Sequence, residues 1–177
     1  TFDVTPHDSL EAGTQVAIGI QGRSGSEIGC EKVLTVTVGQ EFGASMSLSK
    51  STLSNVESGT SGTLSIQITN QGNGQETMAL GTSGVPPGWQ VSFSQSTVTL
   101  GSSQSSNNKE TVGVDVFVPE DASAESDAVI SFTVGRGGGS TPYDSKDLTI
   151  SVAPRHEVST SMVSDQQTGR SDQIVKF

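Results

Sequence analysis

Apolar residues in this chain recur at every second position, and that spacing constrains the fold more than any other feature. The runs are Leu64-Ile66-Ile68, Met78-Leu80, Trp89-Val91-Phe93, Val98-Leu100, Val112-Val114-Val116-Val118, Ile130-Phe132-Val134 and Leu148-Ile150-Val152, with polar residues between. A period of two places one set of side chains on one face of a strand, whereas a helix needs a period near 3.6. No segment keeps the helical period long enough to compete. The 19 Val against 8 Leu point the same way, because β-branched side chains suit a pleated, half-buried surface. Turn-forming clusters separate the runs: Asn70-Gln71-Gly72-Asn73-Gly74, Val85-Pro86-Pro87-Gly88, Gly101 to Asn108, Pro119-Glu120-Asp121 and Gly135 to Gly139. Seven or eight short strands over about 110 residues predict an all-β chain, an antiparallel immunoglobulin-like β-sandwich.

The chain also resembles itself. Val16-Ala17-Ile18-Gly19-Ile20 matches Ile130-Ser131-Phe132-Thr133-Val134, and Leu34-Thr35-Val36-Thr37-Val38 matches Leu148-Thr149-Ile150-Ser151-Val152. The offset is constant at 114 residues (16 to 130, 34 to 148). Pro6-His7-Asp8 and Pro119-Glu120-Asp121 precede the two copies, with one residue fewer in the first. Val158-Ser159-Thr160-Ser161-Met162 likewise matches Ala44-Ser45-Met46-Ser47-Leu48. These matches predict tandem modules of about 114 residues, each with its own core. Residues 1–40 are expected to be the closing strands of one module, 41–154 a complete sandwich and 155–177 the opening strands of a third. The absence of an initiator Met at Thr1 fits a processed product or a piece of a longer chain.

Three sequence stretches resemble the NEW3 family, an immunoglobulin-like module found beside catalytic and surface domains of secreted bacterial and archaeal proteins. They are Leu64-Ser65-Ile66-Gln67-Ile68-Thr69-Asn70-Gln71-Gly72, Val85-Pro86-Pro87-Gly88-Trp89, and Val114-Asp115-Val116-Phe117-Val118-Pro119 followed by Asp121-Ala122. The resemblance covers about half the chain, from Leu64 to Val152, and implies a sandwich that accompanies other domains. One departure is Ala124-Glu125-Ser126-Asp127-Ala128, where the family's usual approach to the penultimate strands has a Gly. Asn70 and Gly72 can take positive φ and so close a turn. Pro86, Pro87 and Gly88 reverse the backbone, which is expected to bury Trp89 against Val91, Val114 and Phe132.

Charge bears on function. Nine Lys and Arg stand against nineteen Asp and Glu, a net charge of −10. Nucleic acid is excluded as an expected partner, because the chain's own field repels a polyanion. No stretch approaches the roughly 18 apolar residues of a membrane span, so direct membrane insertion is not expected. The one cysteine, Cys30, has no partner for an internal disulfide, and zinc spacings are absent. His7 and His156, beside module boundaries, suit solvated linkers rather than catalysis. Gly59-Thr60-Ser61-Gly62 and Gly81-Thr82-Ser83-Gly84 lack the spacing of a nucleophile elbow.

Two weaker signals remain. Glu120, Asp121, Glu125 and Asp127 crowd one loop, with Asp144 and Asp147 near the following strand. Hard oxygen donors of this kind can hold calcium, with Glu120, Asp121 and Asp144 as candidate ligands. The alternation of an EF-hand loop is missing, so the competing reading is a solvated acidic face that discourages edge-to-edge association. No other cofactor is expected. Tyr143, beside a glycine-rich loop, is the candidate ligand-binding residue, because stacking on sugars needs an exposed ring. The sequence therefore predicts a non-catalytic structural or spacer module, outside the cell or on its surface, whose partners are neighbouring modules of the same chain. Glycan binding beside an extracellular enzyme, or self-association by strand addition into a head-to-tail filament, are the alternatives.

Overall fold

The computed structural model describes residues 3–5, 7, 9–137, 139 and 141–155. His156 and the expected opening strands of a third module lie outside the described residues. Among the described residues eleven strands follow in chain order: β1 Gln15–Ser24, β2 Glu27–Thr37, β3 Ala44–Leu48, β4 Thr52–Val56, β5 Ser61–Asn70, β6 Glu76–Ser83, β7 Gln90–Phe93, β8 Thr97–Leu100, β9 Lys109–Phe117, β10 Asp127–Arg136 and β11 Pro142–Val152. They form a five-stranded sheet in the order β4-β11-β10-β6-β8, a four-stranded sheet β3-β5-β9-β7, and a separate hairpin β1-β2. The two larger sheets face each other as an all-β, immunoglobulin-like sandwich.

The period-two residues fill the space between those sheets. Ile66, Ile68, Met78, Val112, Val116, Ile130, Phe132, Val134, Leu148 and Ile150 are wholly buried. Their sequence neighbours, such as Thr111, Gly113 and Asp115 on β9, face solvent. Phe132 lies at the centre, edge-on to Phe93 with ring centroids 6.0 Å apart, a favourable aromatic geometry.

The antiparallel sandwich expected from the sequence is present with one refinement, and two expectations about its core and turns are corrected. First, among the described strands pairing is antiparallel except between β4 and β11, which run parallel. The chain crosses from the four-stranded sheet to the five-stranded one between β3 and β4, and so lies along the last strand in the same direction. Second, Trp89 is only half-buried. It precedes β7 at the end of the sandwich, where Gly88 at φ 83 turns the chain, and packs on the rim of the core while Phe132 occupies its middle. Third, Asn70 and Gly72 do not adopt positive φ. Asn70 acts through its side chain, and Gly72 is required because a Cβ there would collide with the Glu41 carbonyl oxygen. Positive φ falls instead on Gly13, Gly25, Gly59, Gly84 and Gly88, and on Asn55 and Glu125. Glu125, at φ 57, lies in the Ala124-Glu125-Ser126-Asp127-Ala128 stretch that leads into β10.

The hairpin β1-β2 closes through Gly25 at φ 62 and stands apart from the sandwich sheets. Its register differs by two from that of β10-β11: Ile130 faces Leu148, whereas Val16 faces Val36 and Ile18 faces Leu34. An even shift keeps the same side chains on the same face.

Candidate functional site

The residues joining the hairpin to the sandwich are held by the turn between β5 and β6. Asn70 is fully buried. Its amide donates to the carbonyls of Gly74 and Gly101, both at 2.8 Å, and its Oδ1 accepts from the Gly72 amide at 2.8 Å. All three bonds fix the shape of the turn, which presents Asn73 to the linker. The Asn73 side chain donates to the Gly39 carbonyl at 2.9 Å and accepts from the Glu41 amide at 2.7 Å. Its own carbonyl accepts from the Ala12 amide at 2.9 Å. Gln40 donates to the Gln75 carbonyl at 3.1 Å, and the Gln71 amide donates to the Gly43 carbonyl at 2.8 Å. The Arg136 guanidinium lies 4.4 Å from the centre of the Phe42 ring, a cation–π contact. Every residue from Gly39 to Gly43 is therefore tied to the sandwich, and Ser102 donates to Glu11 at 2.8 Å on the far side of the same joint.

The proposed calcium ligands are not brought together. Glu120 and Asp121 lie exposed in the β9–β10 connection, ahead of Asp127. Asp144 pairs with Val134, seven positions further along β10, roughly 20 Å away at the usual rise per residue. Asp144 ties the two sheets together instead. Its Oδ2 accepts from the Met46 amide at 2.8 Å, its Oδ1 from the Ser145 amide at 2.8 Å, and the Lys146 ammonium lies 3.3 Å away. Burial works against ionisation, but those two amides and Lys146 outweigh it and hold the carboxyl below the ordinary range. Asp127 accepts from the Ser151 hydroxyl and Asp147 from that of Ser131, each across β10-β11. Glu120 borders a groove of about 480 Å³ with Glu57, Ser58, Ala153, Pro154 and Arg155, where β11 leaves the sandwich. Among the described residues, no group of three or more His, Cys, Asp and Glu side chains is placed to share a metal ion.

Tyr143 is half-buried, and its hydroxyl donates to Glu76 at 2.5 Å. Burial and then that bond push the phenol up to about 12. Its polar end is thus engaged inside the protein. His7 is exposed and bonded to Ser9 at 2.8 Å.

No family model and no curated protein sequence matches the chain. Among solved structures it is similar to a family 123 glycoside hydrolase from Clostridium perfringens, described for glycolipid glycan hydrolysis, at 9% identity and a TM-score of 0.49. That match covers 64% of this chain and 27% of the hydrolase. It is also similar to WR4, a C. elegans MSP family member (9% identity, TM-score 0.37, 61% of this chain and 97% of that one). A third is PapD-like domain 7 of human CEP192 (11% identity, TM-score 0.38, 64% and 87%). The chain thus spans about a quarter of the length of the hydrolase, and none of these likenesses carries an argument about activity or ligand.

Proposed function

We propose that the chain is a non-catalytic spacer of the NEW3 type, part of a tandem array in a secreted or surface-exposed protein. The observation that supports this reading is the stitched joint. A flexible linker would leave Gly39 to Gly43 free, whereas here side chains and main chain of one unit grip each residue in turn. The Thr69-Asn70-Gln71-Gly72 segment, one of those that carry the family resemblance, supplies the buried side chain behind that grip and the glycine that lets Glu41 approach. A spacer transmits position only if its joints hold an angle, and directed hydrogen bonds at both ends of a five-residue linker provide that.

The test is a distance measurement across the joint. Spin labels at Thr37→Cys and Thr111→Cys, in a Cys30→Ser background, should give one narrow distance distribution. Asn73→Ala should broaden it while the melting of the sandwich stays within about 1 kcal/mol of the parent, because the sandwich core is untouched. A broad distribution in the parent chain would refute the spacer reading.

A further inference from the structure

The hairpin carries an apolar face that nothing among the described residues covers. Val16, Ile18 and Ile20 on β1 and Leu34 and Val36 on β2 share that face, with Lys32 opposite Ile20 towards its far end, and Val16, Ile20 and Leu34 are 38%, 41% and 44% exposed. The opposite face is mostly polar, with Gln15 beside Thr37, Ala17 beside Thr35 and Gln21 beside Glu31, and carries one large apolar side chain, Val33 beside Gly19, 66% exposed. Neither outer edge of the hairpin pairs with another described strand.

The sandwich shows what such a pair of strands needs. The five face positions and Val38 correspond, at the 114-residue offset, to Ile130, Phe132, Val134, Leu148, Ile150 and Val152, which are 0% to 2% exposed. There, β6 pairs with the outer edge of β10, β4 with that of β11, and the sheet β3-β5-β9-β7 covers the face. Two strands of about ten residues offer roughly 300 Å² of face, well short of the roughly 800 Å² per partner of a stable association between separate molecules. A second hairpin laid face to face is too small an occupant, and it would leave both edges open. An occupant that covers the face and pairs with both edges has the strands of β3 to β9.

We propose that the hairpin is the closing strand pair of a second sandwich of the same type, and that its apolar face seats strands patterned like β3 to β9 of this module. The proposal rests on the spacer reading but fails separately from it, because the joint distance does not depend on what covers the hairpin. The two-residue register shift is compatible with it, since the inward residues stay inward.

Hydrogen exchange on the full chain tests it. Alone, peptides spanning 15–37 should exchange at least about tenfold faster than those spanning 127–152, since an isolated two-stranded hairpin is marginal in water. Placing a copy of residues 41–114 directly ahead of Thr1 continues the 114-residue register. It should slow exchange in 15–37 by at least about tenfold, leave 127–152 unchanged and reduce alkylation of Cys30, which lies on the same face over Gly22. Leu34→Lys in the extended chain should abolish the slowing. Three results would each overturn the proposal: protection of 15–37 equal to that of 127–152 in the chain alone, unchanged exchange on extension, or a concentration-dependent dimer of the chain alone that Leu34→Lys disperses.

Discussion

Replacing Asn70 with alanine removes one amide that serves three backbone groups at once. The Gly72 N–H and the Gly74 and Gly101 carbonyls each lose a partner at 2.8 Å around a side chain with no solvent exposure, the Gly72 and Gly101 bonds buried and the Gly74 bond partly so. A net contribution of about 1 to 1.5 kcal/mol per bond gives a loss of about 3 to 4.5 kcal/mol, because buried groups left without partners keep their desolvation cost. For a domain of this size that lowers the melting midpoint by roughly 10 to 20 °C. Urea titration followed by Trp89 fluorescence should show the midpoint fall with little change in slope. Asn70→Asp separates hydrogen bonding from packing. It keeps the acceptor for Gly72 but turns an oxygen toward two carbonyls, so it should be at least as damaging as alanine. A loss below about 1 kcal/mol in the alanine variant, or an aspartate variant as stable as the parent, would refute the assignment of the turn to this side chain.

Other outcomes follow from the core and the ionisable groups. Phe132→Ala should cost about 3 to 5 kcal/mol and Trp89→Ala only about 1 to 2, because the first empties a buried centre and the second trims a half-buried rim. Chemical denaturation ranks the two. Tyr143 has a raised folded-state value of about 12 against about 10 unfolded, so its contribution is complete below about pH 10 and is lost as pH rises through about 12. Tyr143→Phe should flatten that alkaline loss in melts across the window. Asp144 is lowered in the folded state, so its contribution is present above the ordinary carboxylate range near pH 4 and disappears as pH falls through the lowered value. Asp144→Asn should remove that part of the acid dependence.

The sandwich was legible in the sequence wherever strands obey a strict period of two, as in Val112-Val114-Val116-Val118. β4 escaped that reading. Its inward residues Leu53 and Val56 are three apart, because Asn55 at φ 55 adds a residue and two steps on β11, from Ile150 to Val152, oppose three on β4. The role of Asn70 and Gly72 was visible as a turn but not as a mechanism. What they do depends on Glu41, Gly74 and Gly101, and proximity to Glu41 and Gly101 is fixed by the fold rather than by neighbouring sequence. The same holds for the joint, where Asn73 reaches residues more than thirty positions back. The acidic candidates crowd together in sequence, but strand length carries Asp144 to the other end of β10 from Glu120 and Asp121. Tyr143 stands beside a glycine-rich loop in sequence, and only the fold shows Glu76 beneath its hydroxyl.

The parallel contact of β4 with β11 gives the sandwich a direction of strength. The chain enters β4 at one end of this contact and leaves β11 at the other, with main-chain bonds from Thr149 to Ser51 at 3.0 Å and from Ala153 to Val56 at 2.9 Å. Tension drawn along the polypeptide pulls these adjacent strands past one another lengthwise, so the bonds share the load together instead of parting singly like the teeth of a zip.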